Sequence, residues 1–175
     1  MVRSIIAVGI VVIVAIVVMV AVSLHSSRSE VYNFTDCAAA GYPVMESYPR
    51  QCRTPSGQSF TEDIGNALEK ASLITVASPQ PNQRVVSPLV ITGQAVGGWF
   101  FEASFPVELK DADGLLAAST IAQTSSDWMT TAMVPFSSTL TFTLPTTPTG
   151  TLVLKKDNPS GDSQYDDQLT IPVVF

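Results

Sequence analysis

The stretch GGWFFEASFPVEL, Gly97 to Leu109, places four aromatic residues and two carboxylates within thirteen positions. Read with a period of two, Phe101, Ala103, Phe105, Val107 and Leu109 share one face, and Glu102, Ser104 and Glu108 share the other. That alternation is the signature of a β-strand with one buried side. The inward register makes Phe101 and Phe105 core residues, and Trp99 has their parity, although the two glycines before it are a setting for a bulge. Phe100 has the outward parity, so Phe100, with Trp99 beside it, is the candidate partner-binding surface. Glu102 and Glu108 are not a catalytic pair. Six residues of strand separate them by roughly 20 Å, whereas glycosidase carboxylates stand about 5–9.5 Å apart.

The same period recurs on the carboxyl-terminal side. Leu140, Phe142 and Leu144 alternate with Thr139, Thr141 and Thr143, and Leu169, Ile171, Val173 and Phe175 alternate with Thr170, Pro172 and Val174. Pro172 on the solvent-facing register marks the last strand as a sheet edge. Turn residues separate the runs: SPQPN, SP, the hairpin signal DADG at Asp111–Gly114, PTTPTG and DNPSGDSQYDD. About seven short strands in roughly 100 residues predict an all-β, immunoglobulin-like β-sandwich over residues 73–175.

Three strings carry a resemblance: SPQPNQRVVSPLVITGQAVGGWFFEASFPVELKDADG, DWMTTAMVPFSSTLTF and GTLVLKKDNPSGDSQYDDQLTIPVVF. Together they resemble the immunoglobulin-like domain of bacterial spore germination, the Gmad family, over about 100 of the 175 residues. The resemblance implies an extracytoplasmic, non-enzymatic β-sandwich. It brings no catalytic residues with it, and the family's name is not in itself evidence for sporulation.

Ahead of the strands lies a different kind of sequence. IIAVGIVVIVAIVVMVAVSL, Ile5 to Leu24, has no charge and no proline, and about 30 Å of helix would span a bilayer core. Ala21-Val22-Ser23 imitates a cleavage site, but the apolar run is longer than a signal peptide's core of about 7–15 residues. Lipidation fails because the first cysteine, Cys37, follows Thr35 and Asp36. An uncleaved signal anchor is expected. Arg3 and Arg28 nearly balance across it, so the orientation rests on the disulfide and strand arguments, which favour an external carboxyl-terminal region. From His25 onward fifteen acidic residues face eight basic ones, a formal charge of −7. Nucleic acid is therefore not expected as a partner.

Between anchor and strands, CAAAGYPVMESYPRQCRTPSGQSF is punctuated by Gly41, Pro43, Pro49, Pro55 and Gly57. So small a unit is below the roughly 40 residues at which a core sustains itself. Cys37 and Cys52 are the only cysteines, and outside the cytoplasm they are expected to pair. Zinc would need about four ligands, and a redox pair would have the Cys-x-x-Cys spacing; both are weaker readings. The segment also resembles a short two-cysteine motif of small bacterial envelope proteins, C-x3-G-x-P-V-x-E-S-Y-P-x-Q-C-x-x-P-x-G, which implies no activity.

The expected organisation is a cytoplasmic stub at 1–4, a transmembrane signal anchor at 5–24, a juxtamembrane linker at 25–35, the two-cysteine segment at 36–63, a linker at 64–72 and the immunoglobulin-like domain at 73–175. No catalytic residue and no cofactor is expected. The single histidine, His25, lies beside the anchor, and the sequence has no G-x-S-x-G, no H-E-x-x-H and no phosphate-cradling glycine loop. The leading reading is a single-pass protein of the cell membrane that presents its domain, outside the cytoplasm, to a protein, glycan or wall component of the bacterial envelope. The alternative is a calcium-dependent adhesion module, with Asp157, Asn158, Asp162, Asp166 and Asp167 in one loop as oxygen donors. No metal ligand is assigned in the leading reading.

Overall fold

The computed structural model describes residues 30–175. The expected stub and anchor, and the linker up to residue 29, lie outside them. Among the described residues no helix is long and apolar enough to cross a membrane. The chain divides into two compact units, one ending at Glu62 and the other running from Asp63 to Phe175.

In the first unit helix α1 (Phe34–Ala39) precedes strands β1 (Val44–Met45), β2 (Gln51–Arg53) and β3 (Ser59–Thr61), which form a small antiparallel sheet in the order β1-β2-β3. Asn33 caps the helix, its side chain accepting from the Asp36 amide at 2.8 Å. The expected disulfide is present. Cys37 on α1 is bonded to Cys52 on the central strand, and both are fully buried. Around this staple Arg50 donates Nε to Glu62 at 2.8 Å and lies 5.3 Å over the Phe34 ring. The disulfide thus does for this unit what a larger apolar core would otherwise do, and the charged pair and ring contact add to it.

The second unit opens with Ile64 and helix α2 (Ala67–Lys70), then strands β4 (Ile74–Ser78), β5 (Leu89–Val96), β6 (Ser104–Asp111), β7 (Leu116–Gln123), β8 (Met133–Leu140), β9 (Thr149–Lys155) and β10 (Gln168–Val174). Residues 64–72, read as a linker, pack onto it instead. Ile64 is buried, Asn66 donates to the Gln168 carbonyl at 2.9 Å and accepts from the Thr170 amide at 2.8 Å, and Lys70 pairs with Asp167 at 2.6 Å.

The seven strands form an antiparallel ladder in the order β10-β9-β6-β7-β8-β5-β4. Its seam is between β7 and β8, whose only aligned pair is Gln123 with Ser137. Side chains complete the seam: Ser138 Oγ donates to the Ile121 carbonyl at 3.0 Å and Thr120 Oγ1 to the Thr139 carbonyl at 3.2 Å. A hydroxyl at the buried position Ser138 is thereby satisfied. The seam splits the ladder into a four-stranded and a three-stranded half, and their inward residues meet in one core. Phe105 of the first half packs edge-to-face on Phe136 of the second at 4.9 Å. Gly93 makes room for Phe136, because a Cβ there would lie 2.6 Å from the ring.

On the opposite side the chain leaving β4 crosses over and runs parallel to β10. Asn82 donates to the Pro172 carbonyl at 2.7 Å and Val85 to the Val174 carbonyl at 2.8 Å, which nearly closes the ladder into a barrel. Proline, with no N–H to offer, occupies the terminal strand of the ladder, but that strand is not the free edge expected, because residues 82–85 bond along its outer side. The DADG hairpin is also present: the Asp111 side chain accepts from the amides of Asp113 and Leu115, and Gly114 has φ +80°.

Two features of the predicted alternation are corrected. Phe105, Val107 and Leu109 are fully buried, but Phe101 is 42% exposed and Phe100 only 4%. The strand begins at Ser104, and Phe101–Ser104 is a tight two-residue turn with φ +49° at Glu102 and +61° at Ala103. Strand parity does not extend through a turn, so the two phenylalanines exchange places. Likewise Leu140 and Phe142 are buried, the latter held past the end of β8 by its amide donating to Ser87 Oγ at 3.0 Å, but Leu144, four residues beyond the strand, is 62% exposed.

Candidate functional site

Three connections meet at one end of the second unit: residues 97–103 between β5 and β6, 124–132 between β7 and β8, and 156–167 between β9 and β10. Backbone hydrogen bonds tie them together. Asp157 donates to the Trp99 carbonyl and Thr124 to the Ala103 carbonyl, both at 3.0 Å. Gly97 brings the first two into contact. A Cβ there would lie 2.0 Å from the Trp128 carbonyl oxygen and 2.1 Å from that of Thr130, so no other residue allows the 124–132 loop to sit so close.

The result is an open depression of about 430 Å³ lined by Gly97, Gly98, Phe100, Trp128, Met129, Thr130 and Thr131. Its lining carries no charged side chain. Gly98 is exposed, and a Cβ at that position would meet nothing within 4 Å, so it leaves open space where another residue would project. Met129 stands 78% exposed, while Trp128 is half-buried and packs against the core.

Phe100 and Trp99, the residues singled out from the sequence, have separate fates. Phe100 reaches the depression from below, with its ring edge-on to Phe105 at 5.2 Å. Trp99 does not line it. It is 1% exposed, and its Nε1–H has no acceptor among the described residues. Neither is an exposed aromatic, because the short 3-10 turn Gly97–Trp99 drives both rings inward ahead of the tight turn. Sequence reading missed Trp128 and Met129. Their signal was two large apolar residues inside the polar run SSDWMTT, where no strand alternation explains them.

The tight turn beside the depression is strained. Turns with positive φ at both central residues are usually Asn-Gly or Asp-Gly, and here they are Glu102 and Ala103. Such conformations persist where the surroundings enforce them, and they cluster at functional sites.

The acidic loop is wired to protein donors. Asn158 donates to Asp166 Oδ1 at 2.8 Å, the Gln164 amide donates to Asp162 Oδ1 at 3.2 Å, and Asp167 holds Lys70. Among the described residues no three of His, Cys, Asp or Glu gather in a group that could hold a metal ion. The oxygens proposed for calcium thus do not form a cage. Glu108 lies away from this end on β6, bonded to Lys155 and 3.5 Å from Lys110. The hydrogen bond from Lys155 is the main cause that holds its carboxyl below the ordinary value, and Lys110 adds to it.

Comparison with known proteins gives one match. The model of the family described as the immunoglobulin-like domain of bacterial spore germination matches residues 73–163, more than half of the chain. The chain belongs to that family. The germination-type immunoglobulin-like domain begins just ahead of β4, and the match ends in the 156–167 connection, so β10 completes the domain beyond it. The depression and the strained turn both fall inside the matched region of this germination-type domain. No curated protein and no solved structure matches the chain.

Proposed function

We propose that this chain is a non-enzymatic binding or assembly module, tethered to the cell membrane and presented outside the cytoplasm at the bacterial envelope. The observation that carries the binding reading is the uncharged, aromatic-floored depression at the loop end of the domain. Ligand sites are concave, largely apolar and held by a rigid scaffold. The family's immunoglobulin-like fold is a non-catalytic type, which supports binding over catalysis.

The tether rests on the uncharged run Ile5–Leu24. The external location is supported by the Cys37–Cys52 disulfide, since such bonds persist in oxidising compartments. Protease added to intact cells or spheroplasts should remove the domain from Leu73 onward while the amino-terminal part stays in the membrane fraction. Protection of the domain until the membrane is breached would reverse the orientation, and recovery of the whole chain in the soluble fraction would remove the tether.

A further inference from the structure

The three connections that build the loop end are strongly unbalanced in charge. They carry six carboxylates, Glu102, Asp127, Asp157, Asp162, Asp166 and Asp167, against the single Lys156, and among the described residues only Asp167 has a basic partner from outside, Lys70 at 2.6 Å. Glu102 and Asp127 are exposed next to the depression. Glu102 follows Phe100 by two residues in the tight turn, and Asp127 Oδ1 accepts from the amide of Met129, a lining residue. The Asp157 amide is bonded to the carbonyl of Trp99, the neighbour of Gly98. The basic residue of these connections, Lys156, donates Nζ to the Tyr165 carbonyl at 3.4 Å within its own loop. An uncharged, apolar hollow therefore has exposed carboxylates beside it on two of the loops that line it, Glu102 on one and Asp127 on the other.

From this arrangement we infer that the depression receives a protein segment whose apolar side chain is flanked by basic residues. The inference rests on the binding reading above and adds the partner's chemistry to it. The apolar floor of Phe100 and Trp128 selects an aliphatic or aromatic anchor, which gains by leaving water. Glu102 and Asp127 select positive charge next to that anchor, steer its approach and repel anionic partners. A wall polyanion is disfavoured by the same field. So is a second copy of this domain, which would bring its own acidic end to an acidic rim. Thr130 and Thr131 offer hydroxyl groups that can satisfy the backbone of an incoming segment.

The test uses the full chain and four defined probes: blocked pentapeptides with a central leucine flanked by two lysines, two glutamates or two glutamines on each side, and a neutral chitin tetrasaccharide. Binding is followed by calorimetry and by tryptophan fluorescence at low and at physiological salt. The lysine-flanked peptide should bind on the order of tenfold tighter than the glutamine-flanked one, with the advantage shrinking as salt screens the rim. The glutamate-flanked peptide should not bind. Gly98→Val should abolish binding, because its side chain enters open space and fills the hollow without a clash. Met129→Ala should weaken binding and provides an independent check should Gly98→Val alter the loop.

Equal binding of the three peptides, blocked by Gly98→Val, would overturn the charge inference while leaving the binding reading intact. Binding of the tetrasaccharide with no peptide bound would replace the protein partner by a glycan. Lysine-dependent binding that survives both substitutions would place the contact outside the depression and overturn the inference. Failure of all four probes would overturn it too, and the binding reading would lose its support.

Discussion

Gly97→Ala and Gly98→Ala should shift stability in opposite directions although the residues are neighbours. At Gly97 the added Cβ would stand 2.0 Å and 2.1 Å from the carbonyl oxygens of Trp128 and Thr130. Carbon-to-oxygen contacts settle at about 3.3–3.6 Å, so the 124–132 loop would have to retreat by roughly 1 Å or more. Both obstacles are backbone, so no side chain can rotate out of the way. Overpacking of this kind costs about 1–3 kcal/mol. Replacing glycine by alanine recovers about 0.4–1 kcal/mol from the unfolded chain, which leaves a net loss of about 1–2 kcal/mol. In a domain of this size each kcal/mol moves Tm by about 4–8 °C, so a fall on the order of 5–15 °C is expected. At Gly98 nothing lies within 4 Å and the backbone is outside the left-handed region, so only the gain remains. Gly98→Ala should raise Tm by a few degrees. Thermal melts by circular dichroism measure both, and tryptophan emission should shift to the red only in Gly97→Ala as the loop lifts and exposes Trp128. A Gly97→Ala protein that melts at or above the parent would show that the loop is not seated on Gly97, and the depression would lose its structural basis.

Three further outcomes follow from other parts of the molecule. Reduction of Cys37–Cys52 opens a loop of sequence separation 15, worth about 3 kcal/mol by chain entropy; hydrogen exchange should show the first unit unfolding and residues 73–175 staying protected, and continued protection of residues 34–61 would refute this. The Glu108 carboxyl is held below its ordinary value of 4.5, so between its folded and unfolded values the unfolded chain binds more protons and stability falls as pH falls. Lys155→Met should flatten that acid slope by less than about 1 kcal/mol, the scale of a part-exposed pair, and an unchanged urea midpoint series from pH 6 to 3 would count against it. Ala103→Gly should raise stability by about 0.5–1 kcal/mol, since the left-handed conformation costs alanine about 1–2 kcal/mol and glycine returns part of that through the unfolded chain; a lower melting temperature would mean that the turn is not strained.

The strands were legible wherever a run kept its period under a single sheet. Phe105 to Leu109 and Leu169 to Phe175 did so, and every expected inward residue there is buried. The disulfide was legible from cysteine count and unit size. What failed was continuity across a boundary. Phe101 was assigned inward by parity counted from Phe105, but two left-handed residues without a glycine between them gave no turn signal. The β7–β8 seam was hidden for a related reason: Ser138 and Thr120 look like ordinary polar strand residues, and their hydroxyls become ladder substitutes only once both strands are in place. The depression was invisible because Phe100 and Trp128, which floor it, are brought together by a backbone approach at Gly97, which has no local signature.

The change of parity between Phe100 and Phe105 and the depression have one cause. Gly97 accepts the 124–132 loop against its α-carbon, and the 3-10 turn that follows carries Phe100 under that loop. The chain must then reverse its parity before Phe105 can enter the core, and the strained Glu102–Ala103 turn performs that reversal in the space of two residues. An Asn-Gly pair would make the same turn at lower conformational cost. Glutamate at the first position instead adds a charge at the edge of the hollow, so local stability is given up at a position where the side chain faces solvent beside the site. A turn selected only for folding would have no reason to prefer it. A turn selected also for what approaches the hollow would, and Glu102→Asn separates the two: it should stabilise the domain and at the same time weaken the lysine-flanked peptide, whereas a purely structural turn would show the first effect without the second.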